Sequence, residues 1–450
     1  LNPIFEARSN HRYDTADYLS VDPLLGGQPG YEALRDATEA AGIRFILDGV
    51  FSHTGADSVY FNKYGRYPGI GAYQAYVNGE HSPYQSWYNF SRDSKGTISY
   101  DSWWGFPELP NVNENDLFYK GYILGNDGVL AHWMKNGSSG FRLDVSDELP
   151  DGFIREIRKR IKQDSDGEGV IVGEVWEDAS NKISYGSYRD FLLGNSHDSV
   201  MGYTFRDALI GYLVGTYSAR DANHLLETYR ENYPPEAHYC IMNLISSHDV
   251  PRAITCLAGS SDPGDRHTQK QIFLSPEQKR RGLALMRLGY VFQLSYVGSP
   301  CLYYGDEVGM EGYRDPFNRR TYPWGQLSDE ERAQLEFFRN FSNFRKANPV
   351  LKTGFYRTLI ATDYLFVFER TLSEDNIDFF GRRQNGPRRI VVAFNSGVTD
   401  ICNFELEPSF SNAIERTAPD ILSEGESIKN INGSLRIALN PLEYVVYIEN

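Results

Sequence analysis

The chain is predicted to be an α/β protein, a (β/α)8 barrel of the TIM type, on three observations. Strand-like and helix-like segments alternate along much of its 450 residues, as repeated βα units do. Three strand-like runs stop on acidic residues: Gly140-Phe141-Arg142-Leu143-Asp144-Val145, Val170-Ile171-Val172-Gly173 before Glu174, and 241–245 before Ser246-Ser247-His248-Asp249. A lone buried carboxylate is costly, so such strand ends point to one acidic pocket at the C-terminal mouth of a parallel barrel. After Pro349 the pattern changes to β-like runs alone, which predicts a C-terminal antiparallel β-sandwich domain.

The first helical run, 31–41, is stopped by Gly42 and followed by the strand candidate Arg44-Phe45-Ile46-Leu47. From 54 to 113 periodicity dissolves into Tyr, Gly, Ser, Asn and Trp. That is too long for an ordinary connection and reads as a small inserted domain over the mouth. Regularity returns with a helix over 116–135, the strand 140–145, a helix over 151–163 and the strand 170–175. Further strand candidates are 199–201, 241–246 and 301–304, with helices over 276–296 and 330–346. The expected domains are therefore barrel over 1–53, insertion over 54–113, barrel over 114–348 and sandwich over 349–450. Six strands and a stub at 1–3 fall about two short of a closed eight-stranded barrel, so the chain is expected to lack the first strands and to be a segment of a longer protein.

A net charge of −15 argues against a nucleic-acid partner. Aromatic residues make up 14% of the chain, 31 of them Tyr; packing accounts for most, and their amphipathic faces suit the remainder to stacking on sugars. The widely spaced Cys240, Cys256, Cys301 and Cys402 read as buried free thiols rather than disulfides or metal ligands. No apolar run is long enough to span a membrane, and no signal peptide is seen. The chain opens on Leu1 without a methionine, so its true N-terminus is expected to be missing; a cytoplasmic location is expected, with secretion left open for that reason.

On a strand, residues two apart share a face, so Arg142 and Asp144 point the same way. Together with Asp48-Gly49-Val50-Phe51-Ser52-His53, Leu109-Pro110-Asn111-Val112-Asn113, Gly173-Glu174-Val175-Trp176 and Ser247-His248-Asp249 they form an ordered set. That set resembles the signature segments of glycoside hydrolase family 13, the α-amylase family. Leu1-Asn2-Pro3-Ile4-Phe5-Glu6-Ala7 and Ser9-Asn10-His11-Arg12-Tyr13-Asp14-Thr15 are similar to its neopullulanase and cyclomaltodextrinase branch.

The resemblance implies a retaining glycosidase, which needs one carboxylate as nucleophile and a second as general acid and then base. It implies Asp144 as the nucleophile, kept ionised by Arg142, Glu174 as the acid/base, and Asp249 as a third acid gripping ring hydroxyls of the distorted sugar. His53 and His248 match hydrogen-bond donors to that sugar, and Tyr13 matches its stacking platform. Asp315 and Arg319 match a clamp on the next sugar, and Trp176 stands on the leaving or acceptor side. Plainer readings exist for several of these residues. Arg142 and Asp144 also suit a structural ion pair, His53 a satisfied barrel histidine, His11 a loop hydrogen bond, Trp176 packing, and Asp48 a place beneath the site.

Ser52 stands where many α-amylases carry an Asn calcium ligand, and Asn111 where they carry an Asp. Both changes argue against the shared structural calcium, so no metal and no required cofactor are expected. Val145-Ser146-Asp147-Glu148 keeps the branch's Glu but departs from its usual Val-Ala-Asn-Glu. The implied activity is cleavage of α-1,4-glucosidic bonds in maltooligosaccharides, cyclodextrins, pullulan or starch. The alternatives are a plain starch-degrading α-amylase, a transglycosylase, or a catalytically dead binding subunit, which would have lost the acids. The branch further implies an N-terminal domain, ahead of Leu1, that pairs two chains into a homodimer.

Overall fold

The computed structural model describes residues 1–184, 186–406, 428–431 and 434–449. Residues 407–427 of the predicted C-terminal domain lie outside that set. By contacts the chain divides into two compact units, Leu1–Met201 and Gly202–Asn450.

In the first unit, Phe5–Ala7 pairs antiparallel with Thr15–Val21. The expected strand stub at 1–3 is therefore replaced by a two-stranded ribbon starting at Phe5. The central ladder is parallel: Leu47–Gly49 beside Gly140–Leu143, then Val170–Gly173, then Ser199–Gly202. The first of these strands begins three residues later than the expected 44–47. All four residues of Gly140–Leu143 are buried, as a central parallel strand requires. The helix Asp151–Asp164 covers the sheet with Phe153, Ile154, Ile157 and Ile161, the three-and-four spacing of an apolar helix face.

The helix expected over 116–135 is two helices, Leu117–Leu124 and Val129–Lys135. Gly125-Asn126-Asp127-Gly128 breaks it. A Cβ at Gly125 would stand 2.4 Å from the Gly121 carbonyl oxygen, and one at Gly128 2.7 Å from that of Tyr122. A turn-rich tetrapeptide outweighs the apolar periodicity on either side. Within 54–113 lie the helix Ala72–Asn78 and a hairpin of Phe90–Arg92 with Ile98–Tyr100. Its packing is aromatic: Phe61 lies edge-on to Tyr88 and Tyr100, each at 4.8 Å, and Tyr76 stacks on Phe90 at 4.6 Å. Many of the tyrosines are thus core residues.

In the second unit, Met242–Leu244 pairs parallel with Ser299–Cys301. The strand expected at 301–304 ends at Cys301, because Tyr303 and Tyr304 leave the ladder to stack on the buried Arg252, whose Cζ lies 4.1 and 4.6 Å from their rings. The helices Pro276–Ser295 and Asp329–Ala347 each start on a serine capping box, Ser275 with Gln278 and Ser328 with Glu331. Further along, Phe355–Ala361, Leu365–Thr371, Arg389–Asn395 and Glu443–Glu449 form an antiparallel sheet. A second sheet holds Cys402–Leu406, Ser434–Leu439 and Ile428–Ile431. Leu365, Val367, Val391, Ala393 and Val445 pack with Ile437 and Leu439 in one apolar core, so the two sheets form the predicted sandwich. The alternate residues Phe366, Phe368, Val392 and Phe394 pack against the long helix through Phe292.

All four cysteines are thiols rather than disulfides, as expected, but none is fully buried: Cys240 is exposed and Cys256, Cys301 and Cys402 are half-buried. Among the described residues no helix is long and apolar enough to cross a membrane.

Gly140 opens the strand that carries Arg142. Its φ is +141°, and a Cβ there would stand 1.9 Å from the Val170 carbonyl oxygen. Gly140→Ala is expected to destabilise the fold by about 2–4 kcal/mol, read as a lowered denaturation midpoint. An unchanged midpoint would show that the neighbouring strand yields freely.

Candidate active site

The ladder register brings four charged residues of the first unit onto one face. Asp48 is the register partner of Arg142, and Arg142 that of Val172. Asp144 and Glu174 lie two residues beyond Arg142 and Val172 and share their face. The ladder extends through both, with Asp144 N–H donating to the Gly49 carbonyl and Glu174 N–H to that of Leu143, each at 3.1 Å.

Arg142 joins them. Its Nη1 lies 2.7 Å from Asp48 Oδ1 and 2.7 Å from Asp144 Oδ1, and its Nη2 lies 2.7 Å from Glu174 Oε2. All four side chains are buried. The expected pair of Arg142 with Asp144 is therefore a cluster of one guanidinium and three carboxylates, and none of the strand-end acids is lone. Burial drives the Asp144 carboxyl well above the usual carboxylate range. Arg142 opposes that rise, while the charges of Glu174 and Asp48 add to it. Burial likewise raises Asp48, against the same Arg142.

Glu174 is held from two further sides. Val145 N–H donates to its Oε2 at 2.8 Å, and Trp176 Nε1 donates to its Oε1 at 3.1 Å. Val145 has φ 40° and ψ 50°, a left-handed conformation that a β-branched residue adopts only under constraint. That twist directly after Asp144 aims the amide at Glu174. Ser146, the departure from the branch pattern, lies fully buried with its Oγ 2.6 Å from His197 Nε2. Tyr13 donates its hydroxyl to Asp48 at 3.1 Å, stacks on His11 and lies 5.8 Å from the Arg142 guanidinium. Buried His53 has Nδ1 2.9 Å from Ser52 Oγ. Burial lowers its pKa to about 4, so the ring is neutral near pH 7.

The second unit holds its own cluster. His248 Nε2 lies 3.2 Å from Asp249 Oδ2, Tyr203 donates its hydroxyl to that oxygen at 3.3 Å, and Arg319 Nη2 lies 3.9 Å from Asp249 Oδ1. Arg319 Nε also lies 2.8 Å from Asp315 Oδ1. Sequence reasoning missed the support beneath them. Fully buried Asn318 donates from Nδ2 to the carbonyls of His248 at 2.7 Å and Val250 at 3.0 Å, and its own carbonyl accepts from Arg252 Nε at 2.9 Å. Its only sequence signal is its place one residue before Arg319. Glu114, also unassigned, has its carboxyl pushed up to about 7 by burial, with Glu148 adding to the rise.

The metal position offers poor ligands. Ser52 Oγ is engaged by His53, and Asn111 supplies a buried amide oxygen without a hydrogen-bond partner. Among the described residues no group of three or more His, Cys, Asp or Glu side chains is placed to hold an ion. One free amide oxygen and an occupied hydroxyl do not fit a hard cation that takes six to eight oxygens.

The family model for the α-amylase catalytic domain matches residues 1–350. An amylopullulanase of Thermoanaerobacterium thermosulfurigenes is 34% identical over 100% of this chain and 24% of its own length. Neopullulanase 2 of Thermoactinomyces vulgaris is 30% identical over 99% of this chain and 66% of its own. Across three amylopullulanases the chain spans 24% to 31% of the relative's length. Among solved structures, a debranching enzyme from Nostoc punctiforme superposes with a TM-score of 0.77 at 28% identity, over 100% of this chain and 84% of that one. The cyclic α-maltosyl-(1→6)-maltose hydrolase from Arthrobacter globiformis does so at 0.74 and 26%, over 100% and 84%. With 350 of 450 residues under the family model and whole-chain matches of fold, the chain belongs to the α-amylase family of glycoside hydrolases.

Proposed function

We propose that the chain carries the catalytic site of a retaining α-glucan hydrolase that cleaves α-1,4-glucosidic bonds through a covalent glycosyl-enzyme intermediate. One observation carries the reading: Arg142 holds Asp144 and Glu174 together, both buried and both within 2.7 Å of its guanidinium. Asp144 attacks the anomeric carbon while Glu174 gives its proton to the leaving oxygen. Glu174 then takes a proton from water, which releases the sugar from Asp144 with its configuration retained. Arg142 favours the ionised form of the attacking carboxylate, and the Val145 amide fixes the orientation of Glu174. Asp249 and His248 bind ring hydroxyls, neutral His53 donates or accepts a hydrogen bond, and Tyr13 stacks on the sugar. Asp315 and Arg319 contact a further glucosyl unit, and Trp176 stands on the leaving side.

The likeness to the neopullulanase and cyclomaltodextrinase branch favours short or cyclic glucans. A second reading, action on pullulan and starch at large, draws on the names of the amylopullulanase relatives. Side-by-side product assays on cyclodextrin, pullulan and soluble starch decide between them. The expected outcome for the full-length protein is a higher kcat/KM on cyclodextrin or short maltooligosaccharides. The N-terminal domain that the branch resemblance implies would narrow the cleft, and narrowing acts by exclusion rather than on the chemical step. Asp144→Asn serves as the control and should lose several orders of magnitude in kcat while still binding substrate. A clear preference for starch would favour the second reading, and near-normal turnover in the variant would place the nucleophile elsewhere.

No metal is assigned to this reaction. Thermal denaturation with and without a chelator should give the same midpoint. A large drop reversed by calcium would show that Asn111 and its neighbours bind the ion after all.

A further inference from the structure

We propose that Trp103 and Trp104 form a preset stacking platform for a glucosyl ring of the substrate, one lying beyond the bond being cleaved. The proposal rests on the α-glucan reading above.

Glu148, four residues past Asp144, accepts both indole N–H groups, from Trp103 Nε1 on Oε2 at 2.9 Å and from Trp104 Nε1 on Oε1 at 2.7 Å. One carboxylate thus pins the edges of both rings, whose centroids lie 5.7 Å apart at 35°. Phe106 stacks on Trp103 at 6.1 Å. The far end of the group reaches the candidate site, since the Trp103 ring lies 5.6 Å from that of His53.

Trp104 is 76% exposed and Phe106 56%. A large apolar ring left open to solvent is unfavourable unless something covers it. Trp104 also holds φ 49° and ψ 26°, a left-handed conformation rare outside glycine. With the indole donors already satisfied by Glu148, what remains for a ligand is a flat π face. That face suits the C–H side of a pyranose ring, a sugar of the same chain that the acids cleave. Because its edges are already fixed, little ordering remains to oppose binding.

Trp104→Ala, Trp104→Phe and Glu148→Gln in the full chain test this. Against maltoheptaose, Trp104→Ala should lower kcat/KM by about tenfold, through KM, and maltotriose should change by less than about twofold. Trp104→Phe keeps a face and should recover most of the loss. Glu148→Gln retains one acceptor for two indoles and should show about a threefold effect on maltoheptaose alone. The change in intrinsic fluorescence on adding maltoheptaose should saturate in the parent protein and shrink in Trp104→Ala. If the parent hydrolyses no glucan but shows that Trp104-dependent titration, the platform stands and the activity reading falls. Equal losses on both sugars, a Trp104→Ala variant like the parent, or no titration in the parent would overturn the platform. So would a changed oligomeric state with unchanged glucan binding, which would mark the surface as a protein contact.

Discussion

The first unit depends on one buried guanidinium. Three carboxylates on the same face of a parallel sheet, all out of water, repel one another and lose their hydration, and Arg142 contacts each of them at 2.7 Å. Removing such a partner from a buried ionic group costs about 3–5 kcal/mol, because uncompensated charge remains. The arrangement serves chemistry more directly than stability. A single cation shared by three acids leaves a negative site, which favours keeping a proton among them. A glycosidase needs that condition, with one carboxylate ionised and a second able to donate.

Sheet geometry makes the cluster possible. Parallel strands in register put Asp48 beside Arg142, and the two-residue repeat places Asp144 and Glu174 on the same face. Gly140 lets its strand lie close to the next at Val170. The left-handed Val145 then ends the strand abruptly, turns the amide toward Glu174 and leads into the turn that carries Ser146 and Glu148. Ser146 meets His197, and Glu148 meets Trp103 and Trp104. A few residues after the proposed nucleophile thus connect the chemistry to the sheet below and to the aromatic surface of the inserted segment.

Much of this was legible from local pattern. The acid-tipped runs at 140–145, 170–175 and 241–246 are strands or strand ends, and Asp144, Glu174, Arg142, Tyr13 and Asp48 do gather. What escaped was information carried between distant residues. Glu148 and Trp103 are 45 residues apart, and Ser146 and His197 are 51 apart. No periodicity reports such pairs. Asn318 escaped because a buried amide that bonds to carbonyls leaves no motif. The strand misplaced at 301–304 shows the same limit: Tyr303 and Tyr304 favour a strand by type, but the buried charge of Arg252 draws them out of the ladder.

The most direct test of the account is to trap the glycosyl-enzyme with a fluorinated maltosyl reagent that forms the intermediate but releases it slowly, and to locate the label by peptide mass spectrometry. One label on Asp144 is expected, with Glu174 unmodified and natural substrate hydrolysed to a product of retained α configuration. A label on Glu174 or Asp48, or no label together with a β-configured first product, would contradict it.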